Sequence, residues 1–302
     1  MCAHEGAAVW LSVPPVDQVL DLHGDPARHD LALFMHGNQW MAMEVLLHEF
    51  QNAHPEVRSV YYETLPPVTM VQQMQQGTLR LDDLTIHVPP DVLTAGSEML
   101  ARLASEGWVS EPYDYARNSL AILVAAGNPQ HIQGWADLLA PDVRVVLPNP
   151  ETEGITHLIQ EAVTAALGAQ AWAELTEGKR QRGLTSYTQI HHRETPLWLL
   201  ANRADAGPVW LTEALYQQRI RVPLDVIRLP AEQNREGRYA AAVAVRTCRH
   251  PEAAQAFVGF LLGPEAGAVL ADYGFEVENR ELAPGVDHCW VPPSPEQSSG
   301  TR

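Results

Sequence analysis

Leu31-Ala32-Leu33-Phe34-Met35-His36-Gly37-Asn38-Gln39-Trp40-Met41 sets the fold class. Its first five residues are a short apolar run, His36-Gly37-Asn38 interrupts it, and Met41, Val45, Leu46 and Phe50 then recur at helical spacing. This is strand, glycine turn, helix. The unit repeats in outline downstream: residues 57–62 as a strand, a Pro66-Pro67 turn and a helix through Met70 and Met74, then residues 91–94, Gly96-Ser97 and a helix to Gly107. Such alternation implies a mostly parallel sheet covered by helices.

A second series begins at Ser119-Leu120-Ala121-Ile122-Leu123-Val124, followed by Gly127-Asn128-Pro129 and a helix over 135–139. Residues 143–147 are its next strand, the 148–154 loop opens a helix to Leu167, and a helix over 196–202 leads into Ala206-Gly207-Pro208-Val209-Trp210. Tyr239 to Val245 has buried-strand composition, and two Ala-rich helices follow. Two α/β lobes are expected, with residues 30–118 plus 240–283 in lobe 1 and 119–239 in lobe 2. The chain crosses between them near 118–122 and again near 236–243. The Pro- and Gly-bearing residues 1–29 read as a loosely ordered N-terminal extension and 284–302 as a flexible C-terminal tail.

With 302 residues, 46% of them hydrophobic and 19% charged, the chain has the composition of a globular protein with a sizeable core. Its 37 acidic and 20 basic residues leave a net charge of −17, the wrong sign for a phosphate backbone, so no nucleic-acid partner is expected. Cys2, Cys248 and Cys289 have no C-x-x-C spacing and could make at most one bridge, between Cys248 and Cys289 if those two meet. No stretch reaches the length of a membrane span, and no export signal is evident in the chain as written. Met1-Cys2-Ala3 nevertheless has the look of a mature lipoprotein start.

The order and spacing of several motifs carry a family resemblance. They are residues 31–38, Asp91-Val92-Leu93-Thr94-Ala95-Gly96, Asn118 to Val124 with Gly127-Asn128-Pro129, Ala204-Asp205-Ala206-Gly207-Pro208-Val209-Trp210-Leu211-Thr212-Glu213-Ala214, His250 to Phe257, and Tyr273-Gly274-Phe275. Over residues 31–276 the chain resembles the type II periplasmic solute-binding proteins, most closely the molybdate-binding subunit of ABC transporters. The resemblance implies two mostly parallel, helix-flanked lobes and a ligand cleft between them. It implies a substrate-binding protein that captures a small oxyanion such as molybdate or tungstate and hands it to transporter membrane subunits. A monomer in the periplasm follows from it, with no catalytic residues, cofactor or metal. Such a cleft needs no formal cation, because the first turn of a helix offers unpaired N–H groups and a partial positive charge.

Carried over by position, the resemblance implies a ligand set of Asn38, Gln39, Thr64, Ala95, Gly96, Thr152, His191, His192, Arg193 and Trp210. Asn38 stands at a family serine, and Pro66 and Pro67 stand where serines would be, leaving Thr64 and Thr69 as nearby hydroxyls. His192 stands at a valine whose amide binds the anion, and Trp210 at a tyrosine. These replacements imply a differently shaped pocket, suited to a larger or organic anion on which Trp210 stacks while His192 or Arg193 supplies charge.

Ile190-His191-His192-Arg193-Glu194-Thr195-Pro196 is the most unusual local sequence. It reads as a site, or as a solvated loop whose Thr195 caps the next helix with Pro196 in its first turn. Adjacent histidines on an extended loop are expected to point to opposite sides, which disfavours a metal. Glu151 and Glu153, with Glu63 and Glu213, could serve acid/base chemistry, but acids at a helix start are favoured by its dipole alone. Lys179-Arg180-Gln181-Arg182 reads as a solvated basic loop, and Trp108, Trp135, Trp172 and Trp198 as core; Trp10 and Trp290 could pack the chain ends onto the body. Two further function classes stay open: a cytoplasmic ligand sensor or accessory protein using the same cleft, and an enzyme pairing His192 with Glu151 or Glu213.

Overall fold

The computed structural model describes residues 21–81, 84–189 and 191–277. Trp10, Trp290, Cys2, Cys289 and the expected C-terminal tail lie outside the described residues.

In the first lobe, β1 (Leu22–His23), β2 (Leu31–Phe34) and β3 (Val60–Glu63) form one end of a sheet. Every residue of β2 is buried, because helices cover both faces, and this is why Leu31 to Phe34 shows no polar alternation. A hairpin of β4 (Leu79–Leu81) and β5 (Leu84–Ile86) stands apart from that sheet, whereas β6 (Val92–Gly96) joins it beside β2. β7 (Tyr113–Ala125) is a single 13-residue strand that leaves the first lobe and enters the second. There it meets β10 (Ala206–Trp210) and β11 (Leu224–Arg228), after β8 (Val145–Leu147) and β9 (Thr185–Tyr187) have extended the sheet outward. β12 (Glu236–Val243) returns to the first lobe between β6 and β7.

Helices α1 (Met43–Ala53), α2 (Pro67–Gln76) and α3 (Ser97–Ser105) cover the first lobe. The second carries α4 (Ile155–Leu167), α5 (Ala169–Ala173), α6 (Lys179–Gln181), α7 (Thr195–Leu200) and α8 (Leu211–Arg219). Finally α9 (Pro251–Leu261) and α10 (Pro264–Asp272) pack back on α1 and the first sheet. Phe50 of α1 meets Phe257 of α9 edge to face at 5.0 Å, a geometry worth about 0.5–1.5 kcal/mol beyond the area it buries. Among the described residues no single helix is long and apolar enough to cross a membrane.

β12 pairs Glu236 with Ser119 in the first half of β7, and β10 pairs Trp210 with Leu120 at the start of its second half. The sheet is mixed, however, not mostly parallel. β2 runs parallel to β3 and β6, and β8 parallel to β9 and β10, but the crossing strands β7 and β12 pair antiparallel with each other and with their other neighbours. A strand that must return from the other lobe arrives pointing the opposite way.

Other expectations need correction. Residues 21–23 do not belong to a loose extension: Asp21 and Leu22 are buried, and Leu22 and His23 pair with Glu63 and Tyr62. Lys179 to Arg182 is solvated only in part: residues 180–182 are exposed, but 179–181 form α6. Lys179 is buried in α6 and donates to the Ala140 carbonyl at 2.5 Å, with burial pushing its ammonium pKa down.

Candidate functional site

The turn before α7 builds the centre of the molecule. Glu194 folds its carboxylate back to accept the N–H groups of Gln189 at 2.9 Å and His191 at 3.1 Å. This clamp fixes a 3-10 turn over His192–Glu194, and Pro196 in the first turn of α7 continues it. His191, His192 and Arg193 are thereby turned inward, and all three are buried. The solvated-loop reading of this segment fails.

Three carboxylates from three other segments meet them. His191 Nδ1 lies 3.1 Å from Glu153 Oε1, and its Nε2 lies 3.7 Å from Asp21 Oδ2. His192 Nδ1 lies 3.0 Å from the same Glu153 oxygen, and its Nε2 lies 2.6 Å from Glu213 Oε1. Arg193 Nη2 donates to Asp21 Oδ1 at 2.6 Å, and Nη1 to the Gly37 carbonyl at 3.4 Å. Thr64 adds its hydroxyl to Asp21 Oδ1 at 3.0 Å. Asp21, Thr64 and Gly37 belong to the first lobe and the rest to the second, so the network spans the interlobe cleft. The two histidines do not point to opposite sides as expected: both reach Glu153, His191 from extended backbone and His192 from the first position of the 3-10 turn.

Burial and pairing compete in this network, and pairing wins. Burial alone acts to lower the His192 pKa, but the Glu153 and Glu213 carboxylates push it up to about 10. Burial and Arg193 act to lower His191, and Asp21 with Glu153 nonetheless raise it. Burial acts to raise Glu153 and Asp21; both are held below the usual carboxylate range, Glu153 by the two imidazoles and Asp21 by Arg193 and His191. Asp21, Glu153 and Glu213 thus face His191, His192 and Arg193 across short contacts. Glu151 is exposed, whereas Glu213 is the partner of His192 within the network. Among the described residues no group of His, Cys, Asp and Glu has the arrangement of a metal site.

The remaining candidates fall elsewhere. Asn38 Nδ2 donates to the Tyr239 phenol at 2.5 Å, and Asn118 Nδ2 donates to the Thr212 hydroxyl at 2.8 Å and reaches the same phenol at 3.5 Å. Gln39 donates to the Tyr115 phenol. Ala95 is part of the first-lobe core and pairs with Ala240, while Gly96 pairs with Tyr239 in the sheet; neither touches the network. Thr152 is half-buried in the turn before α4, its amide 3.3 Å from the Asn149 carbonyl. Trp210 is buried on Gly237, where an added Cβ would sit 2.5 Å from the indole, so its ring packs the lobe junction instead of offering a stacking face.

Residues 31–276 match the family described as bacterial extracellular solute-binding protein. The chain belongs to that family. It is 30% identical over 187 residues to the sulfate-binding protein of Synechococcus elongatus, covering 58% of this chain and 51% of that one. It is 28% identical over 196 residues to the molybdate-binding protein ModA of Mycobacterium bovis, covering 64% of this chain and 67% of the relative. The match thus spans about half the length of the sulfate-binding protein. The periplasmic molybdate-binding protein of Azotobacter vinelandii superposes with a TM-score of 0.64 at 18% identity, over 82% of this chain and 99% of that one. The fold is that of the type II periplasmic binding proteins.

Within this solute-binding fold, the anion-binding amide expected at His192 is already engaged. The His192 N–H points at Glu153 Oε1, 3.3 Å away. The protein's own carboxylate sits on a donor set of one amide and two imidazoles, and the Arg193 guanidinium that was expected to supply ligand charge sits on Asp21. The sequence reading did not single out Asp21, Tyr239, Asn118 and Thr212, and it offered Glu153 for acid/base chemistry or as a helix-start acid, not as the partner of both histidines.

Proposed function

We propose that this chain is the substrate-binding component of an ABC-type transporter and that its interlobe cleft receives a small oxyanion, with molybdate and tungstate the leading ligands. The observation that carries the reading is the seat of Glu153. Its carboxylate oxygen draws the His192 amide and the His191 and His192 rings, which is the donor set an oxyanion takes. An incoming oxyanion would displace that side chain and inherit its partners. Closing two lobes over such a seat converts binding into a shape that membrane subunits can recognise. The reading assigns no reaction to the protein and expects it outside the cytoplasmic membrane.

A thermal-shift and calorimetric series with molybdate, tungstate, sulfate, thiosulfate and phosphate tests it, since a ligand stabilises the folded state by RT ln(1 + [L]/Kd). Stabilisation by molybdate or tungstate supports the reading in full; stabilisation by sulfate or thiosulfate alone keeps the oxyanion and changes its identity. No shift with any of them, in the natural protein or in Glu153→Gln, would remove it. Fractionation of the native gene product separates the transporter component from a cytoplasmic sensor.

A further inference from the structure

Beside the network lies a cavity of about 580 Å³ that the oxyanion reading does not use. Its walls come from both lobes, and this volume is in the range of small-molecule sites. On one side Trp40 and Tyr216, from opposite lobes, meet edge to face at 4.9 Å. Tyr62, which also lines the pocket, stacks on His23 with ring centroids 4.3 Å apart and planes within 3°. Leu200 and Ile220 stand at its edge 48% and 49% exposed, an apolar margin left uncovered.

The charge of this pocket is the reverse of what an anion needs. Arg193 lines it, but its guanidinium is engaged by Asp21 on the side of the network. Glu213 also lines it and is 3% exposed; its Oε1 holds His192, while its Oε2 is buried with no hydrogen-bond partner among the described residues. That oxygen is an acceptor awaiting a donor, and burying such a group unmet is costly. Glu44 lies exposed among the lining residues, close enough to Tyr62 and Tyr216 for its charge to act on both phenols. Two carboxylates and several aromatic faces, in a protein of net charge −17, define a site for a cation.

We propose that this interlobe pocket binds an organic ammonium ion, with the N–H groups donating to Glu213 Oε2, the charge held against Trp40, Tyr216 and Glu44, and the apolar body lying along Leu200 and Ile220. The assignment stands independently of whether the network yields to an oxyanion. Phenethylamine, with phenylethanol and phenylpropionate as its neutral and anionic counterparts, tests it by titration calorimetry on the full chain. The amine binds saturably, and each counterpart binds at least about fivefold more weakly, the scale of one cation–π contact. Trp40→Ala and Glu44→Gln, at half-buried and exposed positions, each weaken the amine by about the same factor while circular dichroism stays unchanged. Phenylpropionate binding as tightly as the amine, absence of saturable amine binding at millimolar concentration, or undiminished affinity in both variants would each overturn the assignment. Sulfate and molybdate titrated into the same variants report on the oxyanion seat alone, so failure of one reading is separable from failure of the other.

Discussion

Arg193 of the second lobe and Asp21 of the first meet at 2.6 Å, and each side chain is only 2% exposed. An ion pair this deep forms only when the lobes are together, so closing the cleft and assembling the network are one event. Opening must return both charges to water, which makes an intermediate, half-closed state with a dry unpaired charge the costly one. The pair therefore favours two discrete arrangements over a continuum.

Removing one member should show that cost. Asp21→Asn leaves the Arg193 guanidinium facing a neutral amide in a buried site, and breaking a pair in this way typically costs about 3–5 kcal/mol. Denaturant unfolding should show the midpoint falling accordingly. The double variant Asp21→Asn with Arg193→Met should be less destabilised than the sum of its singles, because it leaves no orphaned charge. Additive losses would mean the two residues do not act as a pair.

Gly37 is where the second lobe rests on the first. A Cβ there would lie 3.0 Å from the Thr64 carbonyl oxygen and 3.2 Å from His191 Cε1, with backbone on one side and a clamped ring on the other. Gly37→Ala should lose about 1–3 kcal/mol, as overpacked sites do, and should bias the lobes apart. Small-angle scattering would register a larger radius of gyration; an unchanged profile with unchanged stability would mean the ring gives way freely.

The lobes were legible in the sequence because buried strands announce themselves by composition. Leu31 to Phe34 and Tyr239 to Val243 are apolar whatever their direction, so pattern finds them, but direction is a tertiary property and the mixed sheet could not be read from it. The His191-His192-Arg193 segment was visible as a chemical oddity. Its partners were not, since Asp21 sits in an irregular Pro- and Gly-bearing stretch and Glu153 at an ordinary helix start. Neither carries a periodic signal, and both acquire a role only when chain segments distant in sequence converge. Positions carried over by likeness fared unevenly for the same reason: Thr64, His191, His192 and Arg193 share one network, whereas Ala95 and Gly96 belong to the sheet.

Glu153→Gln separates the stabilising role of the carboxylate from its occupancy of the anion seat. The variant removes the carboxylate that meets the His191 and His192 rings and should lose about 3–5 kcal/mol at neutral pH. An oxyanion that enters the vacated seat should return much of that loss, so the thermal shift with sulfate or molybdate should be larger in the variant than in the natural protein. Equal shifts would mean the anion does not compete with Glu153.

The charge on His192 also sets a pH limit. Its folded pKa of about 10 lies above the ordinary 6.5, so its contribution to stability is complete below pH 6.5 and is lost as pH rises through about 10. The ring resonances of His192 in a proton NMR titration should therefore stay in the imidazolium position past pH 8, where an ordinary histidine has long since shifted. A midpoint near 6.5 would mean that Glu153 and Glu213 do not hold the proton.

Glu63 gives a second, separable slope on the acid side. Burial pushes its carboxyl up to about 7, although the Tyr61 phenol at 2.7 Å and the Gln73 amide at 2.8 Å both donate to one of its oxygens. A raised folded pKa means the group favours folding fully below its ordinary value of 4.5 and loses that contribution as pH rises through about 7. The loss is on the order of 3 kcal/mol by pH 8. Glu63→Gln keeps a carbonyl oxygen for Tyr61 and Gln73 and has nothing to titrate. Its stability should match the natural protein near pH 4.5 and exceed it at pH 8, and unfolding midpoints measured across that range should diverge steadily. Parallel curves would place an ionised, solvated carboxylate at this position instead of a buried neutral acid.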